Sequence, residues 1–205
     1  MKPLILSVGC SLLLLASCTS TKIVSSWKQS NKTVNIEKLN KVLVIAFLYN
    51  ETNSRKAEEQ MVSYLNGKGI ASYTYFNNGF NKSDENAIQK KIKDDGFDGA
   101  VTMRLIDVDK DSYYEPQRDG INYPNYYGNF GSYFYRNFTI YQTPNIYVST
   151  KTFTVETTVF SIKANKLIWT GITKSINPKG INKMTDEIAT AVYKKMRREG
   201  FVTKK

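Results

Sequence analysis

The thiol of Cys18 sits in the most telling chemical setting of this chain. It closes Leu15-Ala16-Ser17-Cys18, at the end of an apolar run over residues 4–15 that follows Lys2. A positive start, a short apolar stretch and small residues before a cysteine mark a secretory signal. Cleavage is expected between Ser17 and Cys18, with Cys18 then acylated, palmitate being a typical chain. The run is too short to be a membrane-spanning helix. Cys10 is the rival acylation site, but Ser7 is a poor match upstream and too few residues precede it. One acyl chain holds a protein weakly, whereas the two or three of a bacterial lipoprotein hold it stably. Once Cys10 leaves with the signal, no intrachain disulfide is expected.

Three further groups have residue types that could do chemistry. Arg104 lies within a β-rich stretch, and Glu156 is the acid of a later one. Both would sit mid-strand, where a cross-strand ion pair is the structural expectation and a catalytic arginine–carboxylate pair the sharper alternative. Asp107, Asp109 and Asp111 space their acids like the start of a calcium loop. Ser112 stands where the turn needs glycine, and Arg118 where the bidentate glutamate belongs. Alternate acids at a strand end are the mark of a solvated face, so no metal is expected. There is no histidine, which removes the commonest general base and transition-metal ligand. No phosphate-cradling glycine loop, nucleophile elbow or CxxC is present. No cofactor and no catalytic residue are therefore assigned.

The third group is aromatic. Tyr113, Tyr114, Tyr123, Tyr126, Tyr127, Tyr133, Tyr135, Tyr141 and Tyr147 alternate with glycine, asparagine and proline, without a single lysine. That mixture suits adaptable contact loops, and the tyrosines from Tyr113 to Tyr141 form a candidate binding surface. Stacking on sugars or docking a protein would use it. The competing expectation is a hairpin whose rings pack on their own sheet. Residues 133–142 are β-prone and nearly uncharged, so an exposed edge there would pair with another chain.

These groups need elements to hold them. Residues 19–40 are polar and read as a tether with one short strand. Residues 42–48 are continuously apolar, as befits a central strand covered on both faces. A helix over about 53–66 carries Ala57, Met61, Tyr64 and Leu65 on one stripe and stops at Gly67 and Gly69. A second strand follows over 70–76. Then comes a helix capped by Ser83, bearing Ile88 and Ile92 and ending at Gly96, and a third strand over 99–107. Residues 151–162 and 167–172 read as strands around a turn at 163–166. A final helix over about 182–198 carries Ile188, Val192 and Met196, with Lys194, Lys195, Arg197 and Arg198 at its negative end. Trp27 and Trp169 are expected to pack. The alternation predicts an α/β fold with an α+β tendency: one open mixed sheet of five or six strands with three helices. The division is a signal over 1–17, a lipidated tether over 18–40, and one domain over 41–205 with a tyrosine- and glycine-rich insertion at 112–148.

The net charge of +11 would suggest nucleic acid in a cytosolic chain. In an envelope protein it suits anionic headgroups or cell-wall polymers instead, so nucleic acid is not expected. Thr19 stands where an aspartate would favour inner-membrane retention. The expected address is therefore the outer membrane, lipid-anchored and facing the periplasm.

Several segments carry a resemblance. They are residues 21–27 (TKIVSSW), 41–46 (KVLVIA), 97–100 (FDGA) with 104–108 (RLIDV), the tyrosine-rich middle, and 166–171 (KLIWTG). Together they resemble a functionally uncharacterised family of small bacterial envelope lipoproteins. The resemblance implies a compact α/β domain similar to the amino-terminal domain of the Tol-system β-propeller protein, and it carries over no catalytic residue. Residues and resemblance together lead to three expectations. The first is a non-catalytic envelope lipoprotein binding a partner protein through its tyrosines. The second is a glycan or peptidoglycan binding module, and the third an enzyme of unrecognised type.

Overall fold

The run 42–48 does become a central strand. In the computed structural model, which describes residues 20–76, 84–109, 128–141 and 152–203, strand β2 (Val42–Phe47) is buried along its whole length. It pairs in parallel with β3 (Gly69–Ala71) on one side and β4 (Gly99–Asp109) on the other. Beyond β4 the sheet turns antiparallel through β5 (Thr152–Ser161), β6 (Lys166–Ile176) and β1 (Thr21–Lys28). The result is one mixed six-stranded sheet in the order β1-β6-β5-β4-β2-β3. The chain is an α/β protein with one open sheet.

Alternate side chains of each strand enter two separate cores. Val44, Ala46, Met103, Leu105, Val155 and Trp169 face one side, where α1 (Glu51–Ser63) and α5 (Ile181–Arg198) cover them with Ala57, Met61, Ile188 and Val192. Leu43, Ile45, Phe47, Ala100 and Phe160 face the other, under α3 (Glu85–Asp94) and α4 (Phe130–Tyr141). Asn50 caps α1 by accepting from the Asn53 N–H at 3.0 Å, and Asp84 caps α3 by accepting from Ala87 N–H at 3.0 Å. Ser83, the expected cap of α3, lies outside the described residues. Gly96 and Gly200 leave α3 and α5 with φ of +76° and +66°, a conformation that favours glycine.

Four expectations are corrected. The strand over 70–76 ends at Ala71, and Ser72–Tyr75 forms a short helix, α2. Glu58 of α1 causes the change. Its carboxylate accepts from Ser72 Oγ at 2.7 Å and from Tyr73 N–H at 3.2 Å, capping the new helix and drawing the chain out of the ladder. Residues 133–141 are helical within α4, so they offer no sheet edge. Phe130, Tyr133 and Phe134 fall at helical spacing and fill the second core. Three helices were expected, whereas five α-helices stand among the described residues. Trp27 is 41% exposed, whereas Trp169 is fully buried.

The segment 18–40 also contributes more than a tether. Thr21–Lys28 is an edge strand paired to β6 along its length. Residues 32–39, with a single 3₁₀ turn at Ile36–Lys38, form a strap across one end of the domain. Val34 ties that strap down by a parallel bridge to Val202, and Lys68 Nζ donates to the Leu39 carbonyl.

Candidate functional site

Two features stand out once the elements are in place, one on each face of the sheet. On the α3/α4 face the register sets Arg104 of β4 directly opposite Glu156 of β5. Both Nε and Nη2 of Arg104 lie 2.9 Å from Glu156 Oε2, and the two side chains are 4% and 2% exposed. Tyr133 of α4 lies over this pair. Its hydroxyl donates to Glu156 Oε2 at 3.2 Å and accepts from Thr102 Oγ1 at 3.0 Å. Thr102 and Thr158 meet across the strands at 2.6 Å. Burial, then the nearby Glu156 charge, pushes the Tyr133 phenol far above its ordinary value, so it stays protonated.

This cluster is sealed. Arg104, Glu156, Thr102 and Tyr133 are all 3% exposed or less, and Phe47 and Phe160 pack edgewise or tilted on the Tyr133 ring. A buried ion pair contributes little net stability, yet it penalises every register in which one partner is left alone. Its chemistry is to fix how β4, β5 and α4 dock.

The second feature is a cavity of about 440 Å³ on the α1/α5 face. It lies between the second half of α1 and the second half of α5, above the first residues of β2 and β4. The 32–39 strap walls it at one end. Val44, Met103, Ile188 and Val192 make an apolar floor, all of them buried. Lys38, Tyr64 and Tyr193 mark an exposed rim. Thr157 also lines it, and this residue is only 3% exposed. It stands between Val155 and Val159 on β5, opposite Met103 and Gly171. Its hydroxyl has no hydrogen-bond partner. Gly171 is required there: a Cβ would come within 2.4 Å of the Trp169 ring.

The residues singled out from the sequence fare differently. The structure brings Arg104 and Glu156 together. Tyr133, expected on a binding surface, is fully buried, because α4 directs it into the second core. Tyr135 is 39% exposed on the same helix. Tyr141 ends α4, with its side chain outside the described residues, as are Tyr113, Tyr114, Tyr123, Tyr126 and Tyr127. Ser17 and Cys18 lie outside them as well. Asp107 and Asp109 are exposed at the end of β4, and Asp111 lies outside the described residues. Among the described residues no group of acids, histidines and cysteines could hold a metal ion, and no helix is long and apolar enough to cross a membrane.

Sequence reasoning missed the cavity, Thr157 and two structural carboxylates. One is Glu58. Burial raises its pKa above the usual glutamate value, while donors at Ala46 N–H, Ser72 and Tyr73 oppose that rise only in part. The other is Glu199, just after α5. Burial raises it too, but hydrogen bonds from Ser26 at 2.6 Å, Trp169 at 2.8 Å and the Lys195 ammonium outweigh burial and hold it below the usual value.

Comparison with known proteins places few constraints on function. No family model and no curated protein matches the chain. Among solved structures it is similar to a PelC dodecamer from Paraburkholderia phytofirmans, in two crystal forms. A point variant in one form has a TM-score of 0.45 at 8% identity, covering 82% of this chain and 94% of that one. The other has a TM-score of 0.43 at 6% identity over the same shares.

Proposed function

We propose that the protein is a non-catalytic lipoprotein of the outer membrane, anchored through Cys18 and facing the periplasm. In this reading it contacts a partner protein through the tyrosine-rich segment between β4 and β5. One observation carries the reading. Thr21 pairs with Ser175, Ser175 with Phe153, and Phe153 with Val108. The first residue of β1 and both roots of the tyrosine-rich segment therefore share one row at one end of the sheet. Three strand spacings separate Thr21 from Val108, about 15 Å. The two residues between Cys18 and Thr21 add a reach of about 10 Å. A lipid on Cys18 would thus hold the roots of the tyrosine-rich segment close to the bilayer. Lys22 and Lys174 are paired across β1 and β6 at that same end, which suits anionic headgroups.

The burial of Arg104, Glu156 and Tyr133 supports a structural role over a catalytic one at that cluster, which leaves binding to be sought elsewhere. The test must spare α4, whose Phe130, Tyr133 and Phe134 belong to the core. Deleting residues 112–127 from the full chain should abolish capture of the partner from envelope extracts while the melting temperature holds. Undiminished capture would refute the assignment. Sedimentation of the full chain with purified peptidoglycan, lost in the same deletion, would favour the glycan-binding reading instead.

A further inference from the structure

We infer that the apolar cavity under the 32–39 strap is a binding site for a single-chain fatty acid. The carboxylate is held at Lys32 and Lys38, and an oxygen part-way along the chain meets Thr157. Protein interiors leave few voids larger than a water molecule. A space of about 440 Å³ is roughly three times the cavity that accepts a six-carbon ring, which points to a ligand of roughly 18 carbon atoms. The floor is aliphatic and thioether. Met61, Met103 and Met196 line it, and flexible methionine suits an irregular hydrocarbon.

Charge and polarity set the orientation. Lys32 and Lys38 both line the cavity, and neither makes an ion pair among the described residues. The one acid in the wall, Asp98, already accepts from the Asn40 N–H. The rim is therefore positive and suited to a carboxylate. The Thr157 hydroxyl lines the cavity and is buried without a partner, so a ligand oxygen reaching it would complete its hydrogen bonding. Thr157 lies four residues before Ser161, which shares the end row of the sheet with Gly99. That is roughly 13 Å of strand, so the oxygen it meets sits along the chain and not at the carboxylate.

This site lies at the opposite end of β4 and β5 from the roots of the tyrosine-rich segment, and it does not depend on Cys18. The test is photolabelling of the full chain in membranes with palmitic acid carrying a diazirine. Oleic acid, its methyl ester and ricinoleic acid serve as competitors. Adducts should map to residues 99–103, 157–161 and 188–196. Ricinoleic acid, which adds a mid-chain hydroxyl to oleic acid, should compete about fivefold better, and Thr157→Val should erase that advantage. Lys32→Glu with Lys38→Glu should remove the preference of oleic acid over its ester. Val159→Trp, filling the cavity, should bring labelling to background; Ala189→Phe does the same by a second route if the first variant melts early. Adducts elsewhere, equal competition by oleic and ricinoleic acids, or full labelling of a folded Val159→Trp chain would overturn the site.

Discussion

Replacing Glu156 with glutamine tests the reading of the sealed polar cluster. The substitution keeps shape and removes one charge, leaving the Arg104 guanidinium buried at 3% exposure without its counter-ion. Breaking a buried pair in this way costs about 3–5 kcal/mol. Oε2 alone takes two guanidinium contacts at 2.9 Å and the Tyr133 hydroxyl at 3.2 Å, which argues for the upper half of that range. In a chain of this size a loss of about 4 kcal/mol lowers the melting temperature by roughly 8–16 °C. Urea unfolding followed by Trp169 fluorescence suits the assay, because that ring is fully buried in the native state. The triple variant Arg104→Met, Glu156→Leu, Tyr133→Phe removes the whole charged and phenolic set together. It should recover most of the loss, since an apolar replacement of a buried pair is often neutral. A single variant costing under about 1 kcal/mol, or a triple variant as unstable as the single, would refute the reasoning.

Three further outcomes follow from the same structure. Glu58 binds its proton more tightly folded than unfolded, so its contribution is complete below its ordinary value of 4.5 and falls as pH rises through the raised one. The melting temperature of the native chain should therefore decline relative to Glu58→Gln between pH 4.5 and neutrality, a trend read by calorimetry. Glu199 behaves oppositely, because its lowered pKa gives stability above 4.5 that is lost on acidification. Glu199→Gln should flatten the acid limb of the same curve. Gly171→Ala should destabilise by about 1–3 kcal/mol in urea, since its methyl would meet the Trp169 ring and that ring is locked by the bond to Glu199.

Much of the frame was legible in the sequence because it rests on local pattern. The unbroken apolar run of β2 declares a strand buried on both faces, and Ile188, Val192 and Met196 declare the covering face of α5. Arg104 and Glu156 could be matched because each is an isolated charge in a β-rich stretch. What depends on a distant partner was not legible. A short strand at β1 could be read from Ile23, Val24 and Trp27, but not its pairing to β6, which joins residues 141 to 154 positions apart. Residues 72–75 have strand-like composition, and Glu58 from another helix turns them. Residues 130–134 did carry a helical signal in Phe130, Tyr133 and Phe134, but the tyrosine and glycine content around them masked it. The cavity was invisible because it is space between elements.

The central claim is that the tyrosine-rich segment, whose roots a lipid on Cys18 would hold beside the bilayer, is where a partner protein docks. Site-specific photo-crosslinking in cells with the anchor intact tests it most directly, with the reactive residue placed at Tyr126 or at Lys38, which lies at the end of the sheet opposite the roots of that segment. The account predicts one discrete protein adduct from position 126 and none from position 38. A protein adduct from position 38 alone, or from neither, would contradict it.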